Sequence, residues 1–262
     1  MSAEWLARWV HTQVAVGLAQ AVVVSALALA VAWLGHSRKL ELRSETAVAL
    51  ARGLGQMLAI GLVLVWLLHG AAWWSVLALT AMCASAAAMA QRRTKSVPGC
   101  YWLCLQAIGT GSAVVIVMMT ATRVIAFRPL AMVPLGSMII ANSMNTCSQV
   151  LERFASDMKL NAGRVEAALA LGASPAQAAL PYAKNATSAA LIPSLNSLRS
   201  LGIVWIPGFA AGMLLTGSDP VYTAIYQFMV IAMIYAASGV TALVAARGYE
   251  HAAFAQERLV VR

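Results

Sequence analysis

Cys100 and Cys104, four residues apart, are the first pair in this 262-residue chain whose spacing suits chemistry. On a helix they share a face, where two thiols can take a soft metal or exchange electrons. All four cysteines, Cys83 and Cys147 included, fall in or beside apolar segments. Small buried thiols filling helix contacts explain them more simply, and no secreted disulfide framework is indicated. Met138 and Met144 offer soft thioethers to a passing metal, but no cluster identifies a metal site. Asn142 and Asn145 place amides in the same stretch. The nine carboxylates stay in the tails, the loops and one polar interval, and His11, His36, His69 and His251 stand at segment ends or in a tail. None can serve as the intramembrane relay that ion-coupled carriers use. There is no G-x-x-x-x-G-K-[ST] phosphate loop and no Gly-Lys pair. No catalytic set is expected, therefore, and no cofactor in this chain.

The elements that must position these residues are membrane spans. Hydrophobic residues make up 61% of the chain and charged residues 10%, far from the quarter charged of soluble proteins. Uncharged apolar runs of about 20 residues read as spanning helices, and seven are predicted: 13–34, 47–68, 73–90, 100–121, 131–149, 200–217 and 221–246. The expected fold is all-α, one polytopic membrane domain over residues 1–262. Glu4 and Arg8 give no basic signal-peptide start, and the run from Val14 to Leu34 is too long for a cleaved signal core, so it reads as a retained span. The net charge of +9 does not point to nucleic acid, because the basic residues gather between spans: Arg38, Lys39 and Arg43, then Arg92, Arg93 and Lys95. With those clusters in the cytoplasm, the N-terminus is outside and the C-terminus inside. Of eighteen Lys and Arg only Arg8, Arg123 and Arg128 then lie outside.

This topology makes residues 150–199 a cytoplasmic elbow. The fifth span continues through Glu152, Arg153, Asp157 and Lys159 and turns at Asn161-Ala162-Gly163. A short helix follows, Glu166-Ala167-Ala168-Leu169-Ala170-Leu171-Gly172, ended by a glycine able to take the left-handed conformation. Ser174-Pro175 then starts another helix. A face of Ala167, Ala168 and Ala170 is small enough to seat in a partner's groove, and it lacks the basic side of a helix lying on headgroups. Within the spans, Gly109-Thr110-Gly111, Gly208-x-x-x-Gly212 and the alanine runs at 84–88 and 236–239 allow close helix approach. Pro134, Gly136, Pro207 and Gly208 permit bends, tolerable where they face protein or a water-filled cavity. Asn142 and Asn145 suit either helix gluing or a polar pathway. Asp219-Pro220 reads as a tight outside turn.

Four motifs, in order, carry a family resemblance. They are Pro129-x-x-x-x-Pro134-x-x-x-Met138-Ile139-x-x-Asn142-x-Met144, then Ala170-Leu171-Gly172-Ala173-x-Pro175-x-Gln177-Ala178, then Ala190-Leu191-Ile192-Pro193. The fourth is Gly202-Ile203-Val204-x-Ile206-Pro207-Gly208, with Gly217-x-Asp219-Pro220 and Ala224-Ile225-Tyr226-Gln227 after it. Over about Pro129 to Ala245 the chain resembles a permease subunit of an ATP-binding cassette transporter. More narrowly it resembles the bacterial iron-export permease family (FetB-like, formerly UPF0014), related to plant aluminium-tolerance permeases. The resemblance implies a multi-pass protein of the bacterial inner membrane. Two copies would pair with two cytosolic ATPases that hold the ATP and Mg, and the elbow would be the coupling helix. Iron or a related metal would be exported. Glu166, Ala167, Ala168 and Gly172 are the coupling candidates; Met138, Asn142, Met144, Asn145, Pro207 and Gly208 are the path candidates. The family commonly reads Leu-Pro-Gly-Met-Met where this chain has Ile206-Pro207-Gly208-Phe209-Ala210, so an ATP-driven permease for an organic or lipid-like substrate stays open. An ATP-independent carrier or channel and a scaffold that only anchors the ATPase are the other readings.

Overall fold

The structure is a computed structural model describing residues 16–17, 19–30, 33, 42–68, 73–93, 100–125 and 127–255. Glu4, Arg8, His11, His36, Arg38, Lys39, His69, Lys95 and both ends of the predicted first span lie outside the described residues. Every regular element among the described residues is a helix. The chain divides into two compact units, 1–69 and 70–262. The first holds α1 (Ala19–Ala30) and α2 (Leu42–Leu68). The second holds α3 (Trp73–Arg93), α4 (Cys100–Ala121), α5 (Pro129–Leu160), α6 (Ala162–Ala170), α7 (Pro175–Ser200), α8 (Gly208–Leu215) and α9 (Pro220–Ala255).

Within the second unit, α4, α5 and α7 all pack against α9, and α3 packs against α4 and α5. Among the described residues three helices, α3, α4 and α9, are long and apolar enough to cross a bilayer. At 1.5 Å per residue the 36 residues of α9 span about 54 Å, well beyond a hydrocarbon core of about 30 Å. Lipid tails are as apolar as leucine, so close backbone approach and hydroxyl pairs hold such helices together. Gly111 supplies the approach of α4 to α9: a β-carbon there would fall on the Thr241 hydroxyl and within 2.8 Å of the Ala237 carbonyl oxygen. Gly136 of α5 plays the same part under the Leu79 side chain of α3. The Ser112 hydroxyl donates to Ser143 across α4 and α5 at 3.4 Å, and Ser194 donates to Ser238 across α7 and α9 at 3.2 Å. Cys83, Cys100, Cys104 and Cys147 are free and buried, with the Cys100 and Cys104 sulfurs 3.5 Å apart. Phe154 and Tyr249, both buried, meet ring to ring at 4.5 Å where α5 passes α9.

The predicted span at 200–217 takes a different form. One helix, α7, runs from Pro175 to Ser200, and 201–206 is irregular before the eight-residue α8. Gly202, at φ +78, takes a conformation costly for residues with a β-carbon. The Ser200 carbonyl then collects the amides of Ile203, Val204 and Trp205 at 3.0–3.2 Å, and Pro207 starts the next helix. Hydropathy hides α7 because Lys184, Asn185, Asn196 and Arg199 interrupt it. Its alanines at 178, 179, 183, 186 and 190, all buried, mark the face packed inward. Arg199 consequently lies about 36 Å along α7 from its start. Gly208 and Gly212 have open space where a β-carbon would sit, so that pair makes no close approach to the chain's own described residues.

Candidate functional site

The short helix predicted around Glu166 is α6. A single residue joins it to α5: the Asn161 backbone and side-chain N–H groups both donate to the Asp157 carbonyl, at 3.1 and 2.9 Å, closing α5. The Asn161 carbonyl accepts from Arg164 and Val165 at 3.0 and 3.1 Å, opening α6. Val165, 1% exposed, is the side chain that anchors α6, and α6 packs against α5 and α7. Glu166, Ala167 and Ala170 point outward, while Ala168 is half-buried.

The far end of α6 is closed by paired bonds. The Gly172 amide donates to Leu169 and the Ala173 amide to Ala168, both at 3.0 Å, with Gly172 left-handed at φ +89. That is the paired-bond termination in which glycine is favoured. The next helix is held by a reciprocal cap: Gln177 N–H donates to Ser174 Oγ at 3.3 Å, and Ser174 N–H donates to Gln177 Oε1 at 2.9 Å. Such boxes fix a helix start, so α6 is fastened at both ends while its outer side stays open. Two exposed residues outside the predicted set flank α6. Leu160 is 79% exposed and Leu171 89% exposed, one at each end of α6. The available signal was a leucine placed within a polar interval with no helix face to bury it.

The path candidates lie on α5 and at the α7–α8 break. Met138, Asn142 and Met144 are half-buried, and Asn145 is exposed. Asn142 Nδ2 donates to the Met138 carbonyl of its own helix at 2.9 Å, so among the described residues this amide closes on α5 and not on a neighbouring helix. At 3.6 residues per turn, Met138, Asn142, Asn145 and Gln149 fall on one stripe, and Met144 points roughly 120° away. Gln149, also exposed, extends the stripe and was missed because one glutamine near the end of a span reads as a boundary. Pro207 is buried and Gly208 exposed at the start of α8. α8 rests on α9, where Phe209 stacks on Tyr226 at 5.9 Å. The sequence-selected residues therefore form three features: the α6 platform, the α5 stripe and the α7–α8 break. Among the described residues no three of His, Cys, Asp and Glu converge on a metal-holding group.

Residues 18–254 match the uncharacterised protein family UPF0014. The chain is 29% identical over 241 residues to the Arabidopsis thaliana protein ALUMINUM SENSITIVE 3, covering 92% of this chain and 86% of that one. It is 27% identical over 235 residues to the probable iron export permease protein FetB of Escherichia coli K12, covering 89% of each. A Synechocystis UPF0014 membrane protein is 35% identical over 169 residues, 62% of this chain and 64% of the relative. No solved structure matches.

Proposed function

The chain belongs to the UPF0014 family, and from that premise we propose that it is the permease subunit of an ATP-binding cassette exporter that moves iron or a related metal out of the cytoplasm. A separate cytosolic ATPase drives it, docking on α6, and two permease copies share the assembly in the bacterial inner membrane with the N-terminus outside. The observation that carries this reading is α6 itself. A nine-residue helix is anchored by one buried valine, joined to α5 by a single residue and ended by the left-handed Gly172, with small exposed residues along it and an exposed leucine next to each end. Apolar side chains in water on a rigid platform suit a partner's groove. Metal export rests on the likeness to the probable iron export permease of Escherichia coli. Soft Met138 and the amides of the α5 stripe suit transient contacts, as a transporter must release what it binds.

The test is co-purification of the detergent-solubilised chain with a cytosolic ATP-binding cassette ATPase identified by mass, using wild type, Leu171→Asp and Ala167→Asp. A buried unpaired charge costs several kcal/mol at an interface, so each variant is expected to lose the ATPase while keeping its melting temperature. Iron(II) should then stimulate ATP hydrolysis by the reconstituted wild-type complex. If no ATPase accompanies the wild type, the coupling role of α6 fails. If the ATPase binds but iron(II) and other divalent metals leave hydrolysis unchanged, the metal substrate fails.

A further inference from the structure

A groove of about 550 Å³ runs between α3 and α4 with α5 as its floor. Its walls include Val76 and Leu79 of α3, Ile116 and Val117 of α4, Phe127, and Met132 of α5. The hydroxyls along it already donate elsewhere. Thr80 Oγ1 bonds the Val76 and Leu77 carbonyls at 3.0 and 2.8 Å, and Thr120 Oγ1 bonds the Ile116 carbonyl at 2.8 Å. With those protons engaged and the rest of the wall mostly aliphatic, the groove suits hydrocarbon better than a polar ligand. The lining of α4 extends from Gly109 to Ala121, about 18 Å of helix. That is slightly more than half of a bilayer core of about 30 Å, the depth of one leaflet's acyl chains.

Two arginines stand in the chain next to residues at one end of the groove. Thr120, Ala121 and Phe127 line it, and Arg123 and Arg128 stand within the same stretch of chain, both exposed. Among the described residues neither has an ion-pair partner, Arg153 with Asp157 being the pair that forms. Arg128 sits at the N-cap of α5 without a side-chain capping bond, where the helix dipole adds further positive potential. Arg123 is the non-glycine residue with positive φ among those described, at 58°. It occupies the left-handed position that ends α4, with Val124 N–H donating to Met119 at 3.0 Å and Arg123 N–H to Thr120 at 3.1 Å. Gly172 fills the equivalent place after α6. An arginine held where glycine is favoured points to its side chain as the reason for its presence.

We propose that this groove holds an acyl chain of an anionic phospholipid whose phosphate lies on Arg123 and Arg128. Apolar clefts between spans with basic residues at the headgroup level have the chemistry of such sites, and guanidinium matches phosphate oxygens in a bidentate fork. The site is at the opposite end of α5 from α6, so it stands independently of the ATPase reading.

The experiment uses the full chain, stripped of lipid in mild detergent and titrated with palmitoyl-oleoyl phosphatidylglycerol, phosphatidylcholine of the same chains, or inorganic phosphate, with bound lipid counted by native mass spectrometry. Phosphatidylglycerol is expected to bind more tightly than phosphatidylcholine. Arg123→Gln with Arg128→Gln should weaken it roughly thirty-fold, the combined effect of two arginines near an anionic headgroup, while leaving phosphatidylcholine unchanged. Ala113→Phe, placed in the groove wall, should weaken both lipids. Arg123→Gly separates the site from folding: it suits the backbone, so the melting temperature should rise while phosphatidylglycerol retention falls. Equal binding of the two lipids, or full retention in the double arginine variant, overturns the proposal. So does competition by inorganic phosphate with no effect of Ala113→Phe, which would mark a surface anion site.

Discussion

Gly172 and Arg123 occupy the same left-handed helix-ending position with opposite consequences. Gly172, at φ +89 with open space around it, is there for its backbone. Gly172→Ala should cost about 1–2 kcal/mol, the penalty for an L-residue in that conformation. The loss should appear as roughly tenfold faster amide exchange over α6, with core helices unaffected. Gly163, inside α6 with no positive φ and nothing near its β-position, gives the opposite result. Gly163→Ala should stabilise α6 by about 1 kcal/mol and slow the same exchange. If both variants behave alike, α6 is not terminated as described. Much at this scale was legible in the residues: Gly172 as helix end and Ser174-Pro175 as helix start follow from local backbone chemistry alone. Leu160 and Leu171 were not, because whether a leucine is exposed depends on what packs around it.

Among the elements, α4 against α9 is the contact most sensitive to a single methyl group. Gly111→Ala should lower stability by roughly 1–3 kcal/mol through overpacking, since the added carbon meets the Thr241 side chain and the Ala237 backbone. Gly109→Ala, two residues away and 3.8 Å from the Cys83 sulfur, should be tolerated. Thermal melts of the two variants in detergent check the pair, and equal losses would show that α4 and α9 do not cross at Gly111. The apolar spans α3 and α4 were read within a few residues of their observed bounds, because twenty uncharged residues admit one solution in lipid. α7 was not. Its inward face is built of alanine, too weakly apolar to outweigh Lys184 and Arg199, and only packing against α5 and α9 reveals it as a long helix. The break at 201–206 was likewise hidden, since Ile203, Val204 and Ile206 look like span while Gly202 turns the chain.

For the whole molecule the question is which surfaces meet water and which meet lipid. Asn142, Asn145 and Gln149 form a polar stripe on α5 beside the buried hydroxyls of Ser143, Thr146 and Ser148, and polar side chains at membrane depth are placed against protein or a water-filled cavity. In a background without the four native cysteines, Asn145→Cys and Gln149→Cys should react with a water-soluble, membrane-impermeant maleimide in liposomes. Val117→Cys and Leu243→Cys, at apolar exposed positions, should stay inert. If the stripe residues resist labelling as those two do, the polar pathway on α5 fails and the stripe belongs to a dry contact.

The sequence alone determined that this chain is helical and membrane-embedded, that it carries no phosphate-binding loop, and that a glycine-ended helix interrupts its spans. Those properties follow from composition and from backbone preferences acting over a few residues. Only the tertiary structure decided that α7 belongs to the packed bundle and that the amide of Asn142 bonds its own helix. It also decided that an apolar groove opens between α3 and α4, whereas the opposed directions of Met138 and Met144 follow from helical periodicity alone. The packing of α7 and the opening of the groove depend on side chains far apart in sequence meeting or failing to meet, and no local propensity encodes such distances.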